Sequence, residues 1–391
     1  MAVDFRFIVI GRGMMGAAAA KYLARQTDGV AVIGPDEPED RRVHEGVFAS
    51  HYDEGRITRT IDPDRDWALL ANRSIARYGE IAKESGIDFY TEAGCVGVAP
   101  AGSDYLRDAR QAAVSLRVET VSLDEGGLKS QFPYFAFPSG SAGIFGAKGA
   151  GHISPRKLVK AQSLLAEKAG ATVIRDYVIS TREEGGAVVV TTAGGEVYRA
   201  EKVLLAAGGF SISQNLLPQS VDMTVYGRTV SLFEVAEEDA HRFGGMPSLI
   251  LDAPGIAIYL LPPIRYPDGR LYLKIGGDPD NLVLNNDKDM RAWFRTDGRE
   301  VAREHFERIV ARIVPELQAR SISSASCAVS YTKSRYPMIG YTASPHIAVL
   351  TGCMGTSAKS SDEIGRLGAE LILAGRIKDQ GYATDFAPYF R

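Results

Sequence analysis

Near its start the chain has a hydrophobic run and a glycine-rich turn, which read Phe5-Arg6-Phe7-Ile8-Val9-Ile10-Gly11-Arg12-Gly13-Met14-Met15-Gly16. The run is mostly continuous rather than alternating in hydrophobicity, which is typical of a buried parallel strand. The alanine-rich segment 17–25 predicts a helix, and the apolar run 30–33 predicts a second strand. A strand, a glycine turn, a helix and a strand in this order predict a domain that binds a dinucleotide.

Each glycine of this turn has its own physical task. Gly11 permits the tight turn, Gly13 lets the backbone approach a pyrophosphate, and Gly16 lets the helix pack closely on the strand. The N–H groups at the start of the helix, from Met14 onward, then face the phosphates.

The end of the second strand departs from the usual pattern. In dinucleotide-binding proteins an acidic residue at this place holds the ribose hydroxyl groups. Here the place is taken by Gly34, within Ile33-Gly34-Pro35-Asp36-Glu37. Asp36 and Glu37 are therefore the candidates for the ribose contact.

Three features favour FAD over NAD as the dinucleotide. The sequence contains a single glycine fingerprint, whereas NAD-linked flavin reductases usually contain two. Glycine turns at 185–186 and 194–195 separate the strands of a predicted meander at 172–179, 187–192 and 196–199. The apolar run 203–209 predicts a strand that returns beside the first one, with Gly208 next to the cofactor.

The length and charge of the chain restrict its class. A chain of 391 residues is long for one core and predicts two domains. A net charge of -3 without a basic run argues against nucleic acid or an anionic membrane as partner. The sequence has no run of 18 apolar residues and enters a strand at once, so we expect no membrane span, no signal peptide and a cytoplasmic location.

The cysteines and histidines predict neither a disulfide framework nor a metal site. Cys95, Cys327 and Cys353 lie far apart and form no CxxC pair, and the six histidines show no ligand spacing. Reduced thiols are the expected state.

Four further segments contain residues suited to flavin chemistry: Ser50-His51-Tyr52-Asp53-Glu54-Gly55-Arg56-Ile57-Thr58-Arg59, Ile258-Tyr259-Leu260-Leu261-Pro262, Leu271-Tyr272-Leu273-Lys274-Ile275-Gly276 and Gly352-Cys353-Met354-Gly355-Thr356-Ser357-Ala358-Lys359-Ser360-Ser361. With the glycine fingerprint, these segments resemble the D-amino-acid-oxidase-type FAD-dependent oxidoreductases, and within them the monomeric sarcosine oxidase group. The resemblance covers most of the chain. It implies an α/β fold in which a Rossmann-type FAD-binding domain is interleaved with an antiparallel-sheet substrate domain.

The resemblance assigns roles to four cations. Arg56 lies near the flavin ring, and Arg59 binds the substrate carboxylate, for which a planar guanidinium is suited. Lys359 pairs with Arg59 on that carboxylate. Lys274 lies beside the flavin, where its charge stabilises the anion that forms when oxygen takes an electron. Without the resemblance, the two arginines are typical of a surface pair in salt bridges, and Lys274 of an edge-strand lysine with its head in solvent.

Tyr259 matches a tyrosine of the family's substrate pocket, although a core tyrosine is equally consistent with its neighbours. A helix predicted at 362–374 directs its N-terminus at the flavin pyrimidine, where the helix dipole stabilises negative charge.

Two positions depart from the sarcosine oxidase group. Its active-site histidine falls at Asp278, which suits a substrate with added positive charge or a hydrogen-bond donor and argues against sarcosine itself. Its covalent flavin cysteine falls at Val329. Cys327 lies on the same face of the predicted strand, about 7 Å away. We therefore expect non-covalent FAD.

The predicted FAD-binding domain comprises 1–90, 148–220 and 325–391, and the predicted substrate domain comprises 91–147 and 221–324 with an outer helix at 298–314. The residues expected at the reaction centre are Lys274, Arg59, Lys359, Tyr259 and Asp278. The residues expected to contact the cofactor are Gly11, Gly13, Met14, Gly16, Asp36, Ser50, His51, Arg56, Val178, Gly208, Tyr331, Gly355, Thr356, Ser357 and Lys359.

The implied reaction is the oxidation of a small amino acid, in particular a secondary amine, by oxygen, in a monomer or small homo-oligomer. Three alternatives remain open: an FAD dehydrogenase that passes electrons to a quinone or carrier protein, a flavin-binding RNA-modification or structural protein, and an NAD dehydrogenase. Lys274 argues against the first, the net charge of -3 against the second, and the single fingerprint against the third.

Overall fold

The computed structural model describes residues 3–378 and 381–391. Its strands are β1 (Phe5–Ile10), β2 (Val30–Ile33), β3 (Arg56–Thr58), β4 (Tyr90–Thr91), β5 (Cys95–Pro100), β6 (Val121–Leu123), β7 (Ser141–Gly146), β8 (Gly151–Ile153), β9 (Thr172–Ile174), β10 (Val178–Glu184), β11 (Ala187–Thr192), β12 (Val197–Leu205), β13 (Met223–Val235), β14 (Ser248–Ala253), β15 (Ile256–Arg265), β16 (Leu271–Gly276), β17 (Leu282–Leu284), β18 (Ala319–Thr332), β19 (Met338–Tyr341) and β20 (Ile347–Thr351).

Its α-helices are α1 (Met14–Ala24), α2 (Arg65–Ile75), α3 (Tyr78–Ser85), α4 (Asp104–Ser115), α5 (Glu125–Gln131), α6 (Pro155–Lys168), α7 (Asp287–Phe294), α8 (Glu300–Ile313) and α9 (Ser361–Ala374). Within the described ranges, none of these helices combines the length and the hydrophobicity needed to cross a bilayer.

The first large sheet has the doubly wound arrangement that the sequence predicts. Eight strands form it, in the order β10-β11-β12-β1-β2-β9, with β20 on β12 and β19 on β20. Strand β1 runs parallel to both β2 and β12, so that Ile10 pairs with Ile33 on one side and Leu205 on the other. The predicted return of the second apolar strand beside the first is confirmed, and α1 follows directly at the carboxyl end of β1.

The predicted meander is only partly correct. The run 172–179 is two strands rather than one, because β9 pairs with β2 at one edge of the sheet whereas β10 pairs with β11 at the other. Asp176 fixes the break, since its carboxylate accepts hydrogen bonds from the backbone N–H groups of Tyr177 and Gly194. The runs at 196–199 and 203–209, expected as separate strands, form the single strand β12, which ends at Leu205.

The second large sheet has nine strands, in the order β17-β13-β16-β15-β14-β5-β7-β6, with β18 paired along β13. Its pairs are antiparallel except β14 with β5. The predicted outer helix is α8, whose buried Phe306 and Val310 belong to the core on this sheet. The division of the chain into two domains stays a prediction, and β18 runs through its expected boundary at residue 325.

A third, small sheet carries the arginine loop. Strand β8 pairs with β3 on one side and β4 on the other, and Arg56 lies opposite Ile153. Through this sheet the end of the loop 50–59 is fixed to β8.

The C-terminal helix α9 packs against α1 through a small-residue contact and a buried ion pair. A Cβ atom on Gly365 would lie 2.4 Å from the Cβ of Ala18, so the helices approach as closely as only a glycine permits. Lys21 donates to Asp362 at 2.6 Å, and both side chains are buried. Arg77 binds the other oxygen of Asp362 at 2.7 Å. Together these contacts fix the start of α9 beside the glycine turn.

Within the turn itself, the three glycines differ in what the fold requires of them. Gly11 has a positive φ of 104°, and a Cβ there would lie 2.3 Å from the carbonyl oxygen of Ala206. A Cβ on Gly16 would lie 1.8 Å from the carbonyl oxygen of Gly11. Gly13 instead has an extended backbone, and the nearest atom to its Cβ would be His51 Nδ1 at 4.0 Å. The fold therefore requires Gly11 and Gly16, whereas the space beside Gly13 is open.

This difference predicts separable effects of two substitutions. Gly13→Val should leave the apoprotein folded, because its backbone suits any residue, but should raise the Kd for FAD about 100-fold by filling the phosphate space. Gly16→Val should prevent folding, because its side chain meets backbone atoms that cannot move. Thermal unfolding followed by circular dichroism and FAD titration of the apoprotein measure the two properties. FAD binding by Gly13→Val equal to that of the wild type would show that the phosphates lie elsewhere.

Candidate active site

A cavity of about 700 Å³ lies between the first large sheet and strand β18 of the second. A volume of this size is typical of cofactor sites. The predicted cofactor-contacting residues that line it are Gly11, Gly13, Met14, Ser50, His51, Arg56, Val178, Gly208, Gly355 and Ser357. The predicted cofactor-contacting residues outside its lining are Gly16, Asp36, Tyr331, Thr356 and Lys359.

His51 has the strongest feature that suits a bound cofactor. Its Nδ1 atom is buried and has no hydrogen-bond partner among the described residues. Burial, with smaller contributions from Arg12, Arg156 and Arg56, lowers the pKa of His51 to about 3, so the imidazole is neutral. In the tautomer with a proton on Nδ1, it can donate a hydrogen bond to a phosphate oxygen beside Gly13. The turn and this unpartnered atom together fit a dinucleotide pyrophosphate.

Both candidates for the ribose contact are engaged elsewhere. Asp36 forms ion pairs with Arg12 and Arg175, its side chain is 60% exposed, and it lies outside the cavity lining. Glu37 is paired with Arg156 at 2.6 Å. The expectation that Asp36 holds the ribose is therefore not supported by the geometry.

The structure explains why glycine, at Gly34, stands where dinucleotide-binding proteins usually have an acidic residue. Its backbone lines the cavity, and a Cβ atom there would lie 2.5 Å from the backbone nitrogen of Arg12. Arg12 also donates from Nε to the Gly34 carbonyl oxygen at 3.2 Å. The arginine of the glycine turn thus occupies the space that a side chain at position 34 would need.

Lys274 is not an edge-strand lysine. Strand β16 lies between β13 and β15, and the Lys274 side chain is completely buried. Its ammonium group contacts the Asp53 carboxylate and donates to the Gly55 carbonyl oxygen at 2.7 Å. Burial, helped by the nearby Arg56, lowers the pKa of Lys274 well below its usual value, whereas contact with Asp53 favours the charged form. The ammonium shares two partners, the Asp53 carboxylate and the Gly55 carbonyl oxygen, with Arg56 of the cavity wall.

Asp53 is the shared partner of this cluster. Arg56 forms an ion pair with it, and the Tyr266 hydroxyl donates to it at 2.8 Å. Sequence reasoning did not single out Asp53, although it stands between the histidine and the arginine of the same loop. The cluster around Lys274 is therefore one carboxylate shared by two cations.

Tyr259 lies on β15 across from the lysine strand. A Cβ atom on the opposing Gly276 would lie 2.4 Å from the Tyr259 ring, so the ring covers that glycine. The Lys274 ammonium is 5.9 Å from the ring centroid, and burial raises the pKa of Tyr259 to about 12. Tyr259 is thus a neutral wall beside the lysine, which is consistent with either a pocket or a core role.

Arg59 and Lys359, from segments 300 residues apart, meet at one buried carboxylate that sequence reasoning missed. Asp62 Oδ2 accepts from Arg59 Nη2 at 2.7 Å and lies 3.2 Å from Lys359 Nζ. Burial lowers the pKa of Lys359 to about 8, and Asp62 opposes this shift. The spacing of Asp62 three residues after Arg59 was the available signal. The two expected carboxylate-binding cations are therefore together, but they are already partly neutralised.

Asp278 is engaged in the fold. It pairs with Arg299 at 2.5 Å, and it accepts a hydrogen bond from the backbone N–H of Thr229 at 3.0 Å. Its side chain is buried and lies outside the cavity lining. Because its charge is already matched, the expectation that it meets a positively charged part of a substrate is not supported.

The position at which the resemblance expects a covalent flavin cysteine belongs to the cavity. Val329 lines the cavity, and a Cβ atom on Gly355 would lie 3.7 Å from it. Cys327 also lines the cavity, and its sulfur lies 3.6 Å from Arg56 Nη2. Cys353, expected only as a reduced thiol, lines it as well and accepts hydrogen bonds from the Ser330 hydroxyl and backbone N–H, both at 3.3 Å.

Known proteins resemble the chain along its whole length. The monomeric sarcosine oxidase of Bacillus sp. (strain B-0618) is 25% identical over 390 residues, which cover 97% of this chain and 94% of that protein. NikD, an unusual amino acid oxidase essential for nikkomycin biosynthesis, has the same fold, with a TM-score of 0.77, 17% identity, and coverage of 100% of this chain and 98% of its own. L-proline dehydrogenase from P. horikoshii also shares the fold, with a TM-score of 0.73, 16% identity, and coverage of 97% and 96%.

The family model agrees with the geometry of the cavity. It describes FAD-dependent oxidoreductases and matches residues 6–371, which include the glycine turn, both arginines of the loop 50–59, Lys274 and Lys359. The chain therefore belongs to the DAO family of FAD-dependent oxidoreductases.

Proposed function

We propose that the chain is an FAD-dependent oxidase of a small amino acid, in particular of an N-substituted (secondary) amine. The observation that carries this proposal is the meeting of Arg59 and Lys359 in a buried cluster. Lys359 directly follows Ser357 and Ala358 of the cavity lining, and Arg59 comes three residues after Arg56, which also lines the cavity. Two cations and one carboxylate leave an excess positive charge that a substrate carboxylate can satisfy.

The reaction removes two electrons and two protons from the carbon–nitrogen bond of the substrate. The product imine hydrolyses with one water to an oxo-acid or aldehyde and an amine, while oxygen takes up the two electrons and two protons as hydrogen peroxide. When bound, FAD supplies the two-electron chemistry between the amine and oxygen.

The residues of the chain would bind, orient and screen the reactants. Arg59 holds the substrate carboxylate through its free guanidinium edge, and Lys359 adds positive charge behind it. Tyr259 and the strands around it exclude water from the reacting carbon. Lys274 provides a fixed cation where oxygen is reduced, and in a buried site such a charge stabilises a developing anion more strongly than in water.

A dehydrogenase that passes its electrons to a quinone or carrier protein is the second candidate. The contact between Lys274 and Asp53 favours it, because a lysine that is already neutralised attracts an oxygen anion less strongly. Against it, the Lys274 ammonium is completely buried, and its contact with the Gly55 carbonyl oxygen holds it in place beside the loop that contains Arg56.

We further propose that FAD is held without a covalent bond, since Val329 stands at the position expected for a cysteine. Precipitating the purified yellow protein with acid should release about all of its FAD into the supernatant, because only non-covalent contacts hold it. Absorbance of the supernatant and pellet measures this directly. Colour that stays in the pellet would point to Cys327 or Cys353 as the attachment site, and Cys327→Ser and Cys353→Ser would separate the two.

The carboxylate site can be tested with matched pairs of amines. An N-methyl amino acid should be oxidised with a kcat/KM about 100-fold higher than its decarboxylated counterpart, as expected for a buried charge-paired contact. Arg59→Ala should remove this difference by weakening only the carboxylated substrate. Peroxide formation and oxygen uptake are the measurements. If an artificial electron acceptor supports turnover while oxygen does not, the chain is a dehydrogenase.

Lys274 can be tested by separating the two halves of the reaction. Lys274→Met should slow reoxidation by air about 100-fold, because it removes the cation that stabilises the oxygen anion, and should slow anaerobic reduction by about tenfold at most. Stopped-flow absorbance of each half-reaction gives the rates. Lys202→Met is the matched control, since Lys202 contacts Tyr341 and lies outside the cavity lining.

A collapse of reduction with normal reoxidation would instead make Lys274 a substrate ligand. Unchanged rates in both half-reactions would remove the support that Lys274 gives to the oxidase.

A further inference from the structure

In the cluster of Arg59, Asp62 and Lys359, the two cations differ in whether they have a hydrogen-bond donor free for a ligand. All three ammonium donors of Lys359 have partners: Asp62 Oδ2 at 3.2 Å, the Thr356 carbonyl at 3.1 Å and the Thr356 hydroxyl at 2.5 Å. Arg59 uses Nη2 for Asp62, but its Nε atom is buried without a partner among the described residues. A ligand at this cluster therefore meets a free donor on Arg59 and not on Lys359.

Asp62 is fixed in this arrangement. Its Oδ2 atom is shared by the two cations, and its Oδ1 atom accepts from the backbone N–H of Asp64 at 3.2 Å. The side chains of Arg59, Asp62 and Lys359 are 14%, 7% and 1% exposed, so water screens their charges little. Asp62 is a permanent counterion of the pair rather than a surface carboxylate.

Asp64 is a further carboxylate near the cluster, and with Asp62 it opposes the burial that lowers the pKa of Lys359. Its oxygens accept hydrogen bonds from the backbone N–H groups at the start of α2 and from the Tyr336 hydroxyl, so its negative charge is stabilised mainly by the N-terminus of that helix. Tyr105 and Cys95, which adjoin Arg59, are kept neutral by burial, which raises the pKa of each. The three groups in direct contact, Arg59, Lys359 and Asp62, give the cluster a net charge of +1.

We propose that Asp62 determines which substrate charge the site accepts. The site binds an amine with one carboxylate and rejects an amine with a second anionic group. This inference rests on the proposed carboxylate role of Arg59. One substrate carboxylate brings the cluster to neutrality, whereas two would leave an unpaired negative charge in a buried site, which is strongly unfavourable. A bare pair of Arg59 and Lys359 would accept both.

The test uses the FAD-loaded protein and two ligands with the same number of carbon atoms, propionate and malonate. Isothermal titration calorimetry at neutral pH, where malonate carries two charges, gives both Kd values without turnover. The wild type should bind propionate about tenfold more tightly than malonate, and Asp62→Asn should shift this ratio toward malonate by about tenfold or more. Asp252→Asn is the control, since it removes an exposed carboxylate near Tyr105 and should leave the ratio unchanged.

A double variant keeps the test valid if Asp62→Asn does not fold. Asp62→Asn with Lys359→Met restores the net charge of +1, and it should prefer propionate as the wild type does. A double variant that prefers malonate, an unchanged ratio in Asp62→Asn, or a wild type that binds both ligands equally would each overturn the proposal.

A variant of Arg59 distinguishes failure of the inference about Asp62 from failure of the proposed function. Arg59→Met should abolish binding of both ligands. If it binds propionate as the wild type does, the carboxylate site itself is elsewhere and the role of Asp62 falls with it. If it loses both ligands while Asp62→Asn keeps the wild-type ratio, only the role of Asp62 is wrong.

Discussion

The cavity depends on a backbone contact between three chain segments. The carbonyl oxygens of Ala206 and Gly11 occupy the places where the Cβ atoms of Gly11 and Gly16 would stand, so β12, β1 and α1 meet without side chains between them. This approach directs the free N–H groups of α1 into the cavity beside Gly13. Because α9 packs on the same helix through Gly365, the position of the segment 352–360, which leads into α9, follows from the same contact.

A second constraint is that buried cations need counterions. Lys21, Lys274 and Lys359 are each at most 1% exposed, and each lies against a carboxylate. Removing an ammonium group from water costs several kcal/mol, and an ion pair recovers this cost only with good geometry. The pair of Lys21 serves the fold by joining α1 to α9. The other two pairs stand at the candidate site, so there the same physics decides which ligand charges can be accepted.

The sequence predicted what depends on local patterns and failed where a contact forms in three dimensions. The glycine turn could be predicted because the requirement for each glycine arises within a short, recognisable sequence motif. The break at Asp176 was not, because hydrophobicity alone does not show that a strand changes edges. Asp278 illustrates a related limit: its position in the resemblance was clear, but its partner Arg299 was not visible. Asp62 was missed because its role exists only once Lys359 reaches Arg59.

The two carboxylates at the site, Asp53 and Asp62, differ in their consequences for the cations they neutralise. Without Asp53, burial would drive Lys274 toward its neutral form at neutral pH, since desolvation disfavours the ammonium. The Asp53 carboxylate therefore weakens the electrostatic field of Lys274 but keeps the lysine protonated. A partly neutralised ammonium stabilises an oxygen anion better than a neutral amine does. At Asp62 the guanidinium of Arg59 is charged under all conditions. There the carboxylate subtracts from the positive charge that a ligand meets. At Lys359 it also opposes the burial that lowers the pKa of that ammonium, so it helps to keep the lysine charged while it limits the charge of the ligand.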